Sequence, residues 1–159
     1  MPAHAPSLHV ETDTGSARIR DRVARALLVL AAAGAVAAVV SAVSTVADAG
    51  PATRMVETWR MLGFGVFAGV FLLLAYRPRL YAGIWELAIL NKLGLTLAAL
   101  SFGSGTDGAG AALIADGAVT LILLAAYVLN RGWTAWSAAR GRGVMQGVSD
   151  RRHPVRDGA

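Results

Sequence analysis

Cysteine is absent from the 159-residue chain. That excludes disulfides, thiol redox chemistry, iron–sulfur clusters and cysteine-based zinc sites. It also excludes the quinone-linked thiol chemistry of some four-helix membrane enzymes, which needs a Cys-x-x-Cys pair. Histidine is scarce, and His4, His9 and His153 all lie in polar tails. No His/carboxylate cluster has metal spacing, and no Ser-His-Asp constellation is visible. Neither a metal nor a cofactor is therefore expected. Lysine is scarcest of all: of the 15 basic residues only Lys92 is not an arginine. The net charge of +5 sits beside apolar blocks and at the C-terminus. A nucleic-acid footprint would need a basic face on a folded polar domain, so no nucleic-acid partner is expected.

What the chain does have is apolar length. It is 55% hydrophobic with a mean hydropathy of +0.53, and the apolar residues are gathered in four blocks. Each is long enough for a helical span of roughly 20 residues. Four spans plus tails use up the length, leaving no room for a separate soluble enzyme domain. The excess of Ala, Gly and Arg is the codon bias of a GC-rich genome. The fold class expected is all-α, an integral membrane four-helix bundle in the cytoplasmic membrane of a bacterium.

Residues 1–17 are polar, contain proline and lack periodicity, and are expected to be disordered. Arg18, Arg20, Arg22 and Arg25 precede the first span, about Ala24 to Ala47. A cleaved signal peptide is the competing reading, because Ala47-Asp48-Ala49 has the small-x-small form of a cleavage site. The run is longer than an ordinary signal core of about 7–15 residues, which favours an uncleaved span. Its Gly34, Ala38 and Ala42 permit close helix packing. Asp48-Ala-Gly-Pro51 reads as a turn, and Thr53 is positioned to cap the second span, about Met55 to Tyr76. That span holds Gly65-x-x-x-Gly69, a spacing that puts both glycines on one packing face. Arg77-Pro78-Arg79 breaks the helix before the third span, about Leu80 to Phe102. Gly103-Ser-Gly-Thr-Asp-Gly108 matches G-x-G-x-x-G, but no strand precedes it as a dinucleotide site requires; it reads as a loop. The fourth span runs from about Ala109 to Asn130. Residues 18–132 thus form the membrane domain, and 133–159 form a basic, largely disordered tail.

Charge sets the topology. Arginines crowd the N-terminal flank, the loop at Arg77 and Arg79, and the C-terminal tail, while the third loop has none. Cytoplasmic segments carry the Lys/Arg excess, so both termini and the second loop are expected in the cytoplasm. Tyr76, Tyr81, Trp85, Tyr127, Trp133 and Trp136 fall near the same boundary, as interfacial aromatics do.

The third span poses the chemical question. A charge at the centre of a span costs about 2.5–3.5 kcal/mol on insertion scales. Leu and Ile return only about 0.3–0.6 kcal/mol each, so the nine between Leu80 and Leu100 do not clearly cover Lys92 plus Glu86. The span needs its neighbours. At about 100° per residue, Lys92 shares an arc with Trp85, Ala88, Leu95, Thr96 and Ala99, with Asn91 at its edge. Glu86 lies about 120° away among Leu90, Leu93 and Leu97, and is expected to snorkel toward Arg79. Asp116 in the fourth span is the obvious partner for Lys92. Side chains lean toward a helix's N-terminus, however, so in antiparallel spans the two lean apart. By that argument Arg60 suits Asp116 better, and Thr120 (level with Lys92), Asn91 or backbone carbonyls are left to hydrogen-bond the ammonium. Two readings of Lys92 stay open. One is a polar pin that fixes the bundle. The other is a site on a small cavity, where burial would let a lysine change charge and an arginine would not.

The layout resembles the DoxX-like small membrane proteins of bacteria. The residues that carry the likeness are Arg60-Met-Leu-Gly63-Phe-Gly65 and Tyr81-Ala-Gly-Ile-Trp-Glu86-Leu-x-x-x-Asn91-Lys92. It also resembles the small four-span membrane proteins of actinobacteria. The likeness covers the four spans and not the tails, and it transfers no functional residue. The expected function is binding or moving a small ligand or ion at a polar site centred on Lys92, with Asn91, Thr120, Asp116, Arg60 and Glu86 as candidates. The alternative is a non-catalytic structural or accessory subunit that packs through Gly65 and Gly69, as a homo-oligomer or with a membrane partner protein. An intramembrane enzyme is disfavoured because no nucleophile or metal set is present.

Overall fold

The computed structural model describes the backbone of residues 9–137, 139 and 140, with side chains from residue 15. Four helices account for the fold: α1 (His9–Asp48), α2 (Arg54–Tyr76), α3 (Ile84–Phe102) and α4 (Ala109–Asn130). They form an up-down bundle in which α1 packs on α2 and α4, and α3 packs on α4, while α2 and α3 barely meet. The end holding the N-termini of α1 and α3 is called proximal. The end holding the loops at 49–53 and 103–108 is called distal.

The chain's punctuation explains the helix ends. Thr53 occupies the N-cap of α2 but makes no side-chain capping bond. Instead the Arg54 guanidinium folds back onto the Ala49 carbonyl through Nη2 at 2.9 Å and Nε at 3.2 Å. α3 starts at Ile84, four residues later than the apolar run, because Gly83 turns the chain with φ of 87°. Only glycine adopts that region without cost. The Gly103–Gly108 loop is a plain reversal, closed by glycines with φ of 70° and 79° at its two ends. At the N-terminus, residues 9–17, expected to be disordered, are helical. At about 1.5 Å per residue the 40 residues of α1 exceed a hydrocarbon core of about 30 Å twice over, so its polar start projects beyond the apolar zone. At the other end, residues 134–137, 139 and 140 are helical. The disorder expected of residues 1–8 and 141–159 concerns segments outside the described residues.

The buried cluster is confined to the proximal half. It comprises Ala24, Leu28, Ala31 and Ala32 of α1, Phe71, Leu74 and Ala75 of α2, Trp85 and Ala88 of α3, and Leu123 and Ala126 of α4. Small residues on α1 and α4 let the backbones approach closely, which is how helices gain packing energy without a water-driven hydrophobic effect. Trp85 is its centre. It is fully buried, donates Nε1 to the Pro78 carbonyl at 2.7 Å and meets Tyr127 edge-on at 5.7 Å. Trp85 is therefore an internal residue and not the interfacial anchor expected, whereas Tyr76, Tyr81, Trp133 and Trp136 are exposed. Gly132 closes this end. Its N–H caps α4 on the Tyr127 carbonyl at 2.8 Å, and a Cβ there would lie 2.6 Å from Tyr127 Cε2 and 3.2 Å from Trp85 Cδ1.

The exterior is apolar. Leu30, Val36, Val40, Leu62, Val66, Leu72, Leu87, Leu90, Leu97, Leu100, Ile114, Leu121 and Val128 are all exposed. Water would not tolerate so continuous an apolar surface, whereas lipid tails suit it. All four helices have the length and hydropathy of membrane spans.

Candidate ligand-binding site

Lys92 and Asp116 form an ion pair at 2.7 Å inside the bundle. Lys92 is only 6% exposed, and the side chain of Asp116 is 16% exposed. The sequence-based expectation that Asp116 would turn to Arg60 is thus overturned. Arg60 pairs with Glu57 one turn before it on α2. The lean of the Cα–Cβ bond sets only the first bond of a side chain. Beyond Cβ, lysine has three more carbons to redirect its amine, and it extends along α4 to the carboxylate. The register of α3 on α4 is fixed on either side. Thr96 packs its methyl 3.6 Å from where a Cβ of Gly117 would be, and Trp85 meets Tyr127 edge-on. In that antiparallel register Asp116 lies roughly 7 Å distal to Lys92 along the axis, within reach of an extended lysine.

The pair is supported by polar groups of the same two helices. Thr120 Oγ1 donates to the Asp116 carbonyl at 2.7 Å, and Thr96 Oγ1 donates to the Lys92 carbonyl at 2.8 Å. The two hydroxyl oxygens are 3.5 Å apart. Thr120 therefore braces Asp116 through the backbone and does not receive the ammonium. Lys92 Nζ also sits 4.3 Å from the centre of the Phe67 ring, a cation–π contact from α2. Asn91 is exposed and takes no part.

Distal to the buried cluster, residues of all four helices line a cavity of about 340 Å³. Its wall is built from Leu30 and small residues of α1, the rings of Phe64, Phe67 and Phe71 from α2, and Ala115, Val119 and Ile122 from α4. Lys92 and Asp116 are the polar side chains on that wall. Among the described residues no group of His, Asp and Glu could hold a metal ion.

Glu86 belongs to a separate arrangement. Its Oε1 accepts from Tyr127 Oη at 3.0 Å and from Trp136 Nε1 at 3.0 Å, while Oε2 is buried without a partner among the described residues. The expected Glu86–Arg79 contact is not made. α3 begins only at Ile84, so Arg79 stands in the preceding turn and not on the face of Glu86. Arg79 instead reaches Asp21 Oδ1 through Nη2 at 2.9 Å and the Asn130 carbonyl through Nε at 2.9 Å. No sequence signal pointed to Trp136, which lies in the segment expected to be a disordered tail. Of the paired glycines, a Cβ on Gly65 would meet Val39 of α1 at 3.9 Å, while one on Gly69 would meet nothing.

The four apolar helices, the apolar exterior and the inward polar pair define a multi-pass helical membrane protein in contact with lipid. Comparison with protein-family models, with curated proteins and with solved structures returned no match.

Proposed function

We propose that the protein binds a small, mainly apolar molecule in the bundle cavity, with one polar group of that molecule set against Lys92 and Asp116. The observation that carries the reading is the placement of a buried ion pair as the polar feature on the wall of a roughly 340 Å³ apolar cavity. Cavities that hold small ligands are typically of about 300–1,000 Å³, apolar, with a few fixed polar groups. A bare ion is served less well, because hard cations need about six oxygen ligands and the wall offers one carboxylate. Ionisable residues inside spans are costly and mark functional sites by default. The accessory-subunit alternative draws less support, since Gly65 already faces Val39 of its own chain. The reading includes the bacterial cytoplasmic membrane as location and the likeness to DoxX-like proteins.

The cavity is tested with Ala35→Phe, which fills it from α1. Native mass spectrometry of the wild type from mild detergent should detect a bound small molecule, or binding of added 1-naphthol, an apolar bicycle with one hydroxyl. Ala35→Phe should abolish both. A wild type that carries nothing and does not take up 1-naphthol would defeat the reading.

Both termini are proposed to be cytoplasmic, supported by the arginines at the proximal end. The chain has no cysteine, so single cysteines report topology cleanly. Thr106→Cys should react in intact cells with a membrane-impermeant maleimide, and Arg77→Cys should react only after lysis. The reverse pattern would invert the orientation.

A further inference from the structure

A second recess lies at the proximal end, where α1, the end of α2 and the end of α4 converge. It encloses about 190 Å³ and is lined by Asp21, Arg25, Ala75, Pro78, Arg79 and Asn130. Unlike the bundle cavity it is polar. Arg79 is held in place from two sides, by Asp21 and by the Asn130 carbonyl, and its Nη1 makes no hydrogen bond among the described residues. Arg25 is exposed and has no carboxylate partner among the described residues. Asn130 is 2% exposed, and its side-chain amide, with two N–H donors, has no hydrogen-bond partner among the described residues.

The recess therefore presents two guanidinium groups and one amide, with one carboxylate already engaged by Arg79. Guanidinium forks match phosphate oxygens. Arg18 and Arg22 continue the stripe of Arg25 along α1 at helical spacing, raising the positive potential at the mouth. The recess sits at the end of the spans, where lipid headgroups lie, and basic pockets between helices at that level suit anionic headgroups. We propose that this recess binds the phosphodiester of an anionic phospholipid, with Arg25 and Arg79 on the phosphate oxygens and the Asn130 amide as a further donor. The lipid would bridge α1, α2 and α4 where the buried cluster ends. This inference rests on the membrane reading and is independent of the cavity reading.

The test uses the full-length protein in a mild detergent, with thermal unfolding followed by tryptophan fluorescence. Dioctanoyl-phosphatidylglycerol should raise the midpoint saturably, and dioctanoyl-phosphatidylcholine should not. Arg25→Gln should weaken the phosphatidylglycerol effect roughly tenfold, the loss of one charge-assisted contact, with Arg25→Lys recovering part of it. Arg60→Gln, at the distal end, should leave it unchanged. Arg25 has no ion-pair partner to lose among the described residues, so its variants are expected to fold. An equal response to the two lipids, or an undiminished response in Arg25→Gln, would overturn the proposal. Inorganic phosphate giving the same shift at the same concentration would overturn the lipid source and assign the recess to free phosphate.

Discussion

Asp116→Asn is expected to destabilise the bundle by about 3–5 kcal/mol, the usual cost of breaking one half of a buried ion pair. The loss comes mainly from what it strands. Lys92 is 6% exposed, and without the carboxylate its ammonium keeps only the Phe67 ring and weaker polar contacts. The double variant Lys92→Met/Asp116→Leu removes both charges and fills much of the same volume. It is expected to be as stable as the wild type, or more stable by up to about 4 kcal/mol. Reversible unfolding of the wild type, Lys92→Met, Asp116→Leu and the double variant in detergent completes the cycle. A loss below about 1 kcal/mol in Asp116→Asn, the level of exposed pairs, would mean that water reaches the pair freely.

Trp85→Ala is expected to cost about 3–5 kcal/mol, as large-to-small changes do at fully packed aromatic sites. The ring is fully buried, and its Nε1 satisfies the Pro78 carbonyl at 2.7 Å. Removal takes away the edge-on partner of Tyr127 and opens the space beside Gly132. Tyr127 in turn donates to Glu86, so the attachment of Trp136 to α3 should loosen as well. Trp59→Ala is the control. Trp59 is 71% exposed, and its loss should change stability by no more than about 0.5 kcal/mol. Chemical unfolding monitored by circular dichroism distinguishes the two. Equal losses would show that the proximal cluster does not hold the bundle together.

The four helices were legible because hydropathy in blocks of bilayer length is a strong signal, and Tyr76 and Asn130 end their helices next to arginines that flank the spans. The buried face of α3 was legible too, since Trp85, Ala88, Lys92 and Ala99 share one helical arc and all four are buried. The partner of Lys92 was not. Asp116 is the acid deep in the neighbouring span, but the Cα–Cβ lean points it away from Lys92, and it is the reach of the lysine side chain that overrides the lean. The start of α3 was misplaced because hydropathy does not register a left-handed glycine, and Gly83 decides it. From that error followed the wrong partner for Glu86. Its actual partners, Tyr127 and Trp136, lie 41 and 50 residues away, at distances where only packing decides the contact. The proximal recess was hidden for the same reason: Arg25, Arg79 and Asn130 come from three separate parts of the chain.

The cavity reading attributes the ion pair to binding and not to stability, and the charge-free double variant separates the two. The decisive measurement is the affinity of 1-naphthol for Lys92→Met/Asp116→Leu and for the wild type, by titration calorimetry in the same detergent. The expected result is a variant at least as stable as the wild type that binds at least about tenfold more weakly, the worth of one lost polar contact. Equal affinity in a well-folded double variant would contradict the assignment of the pair to ligand binding and leave it as a structural pin.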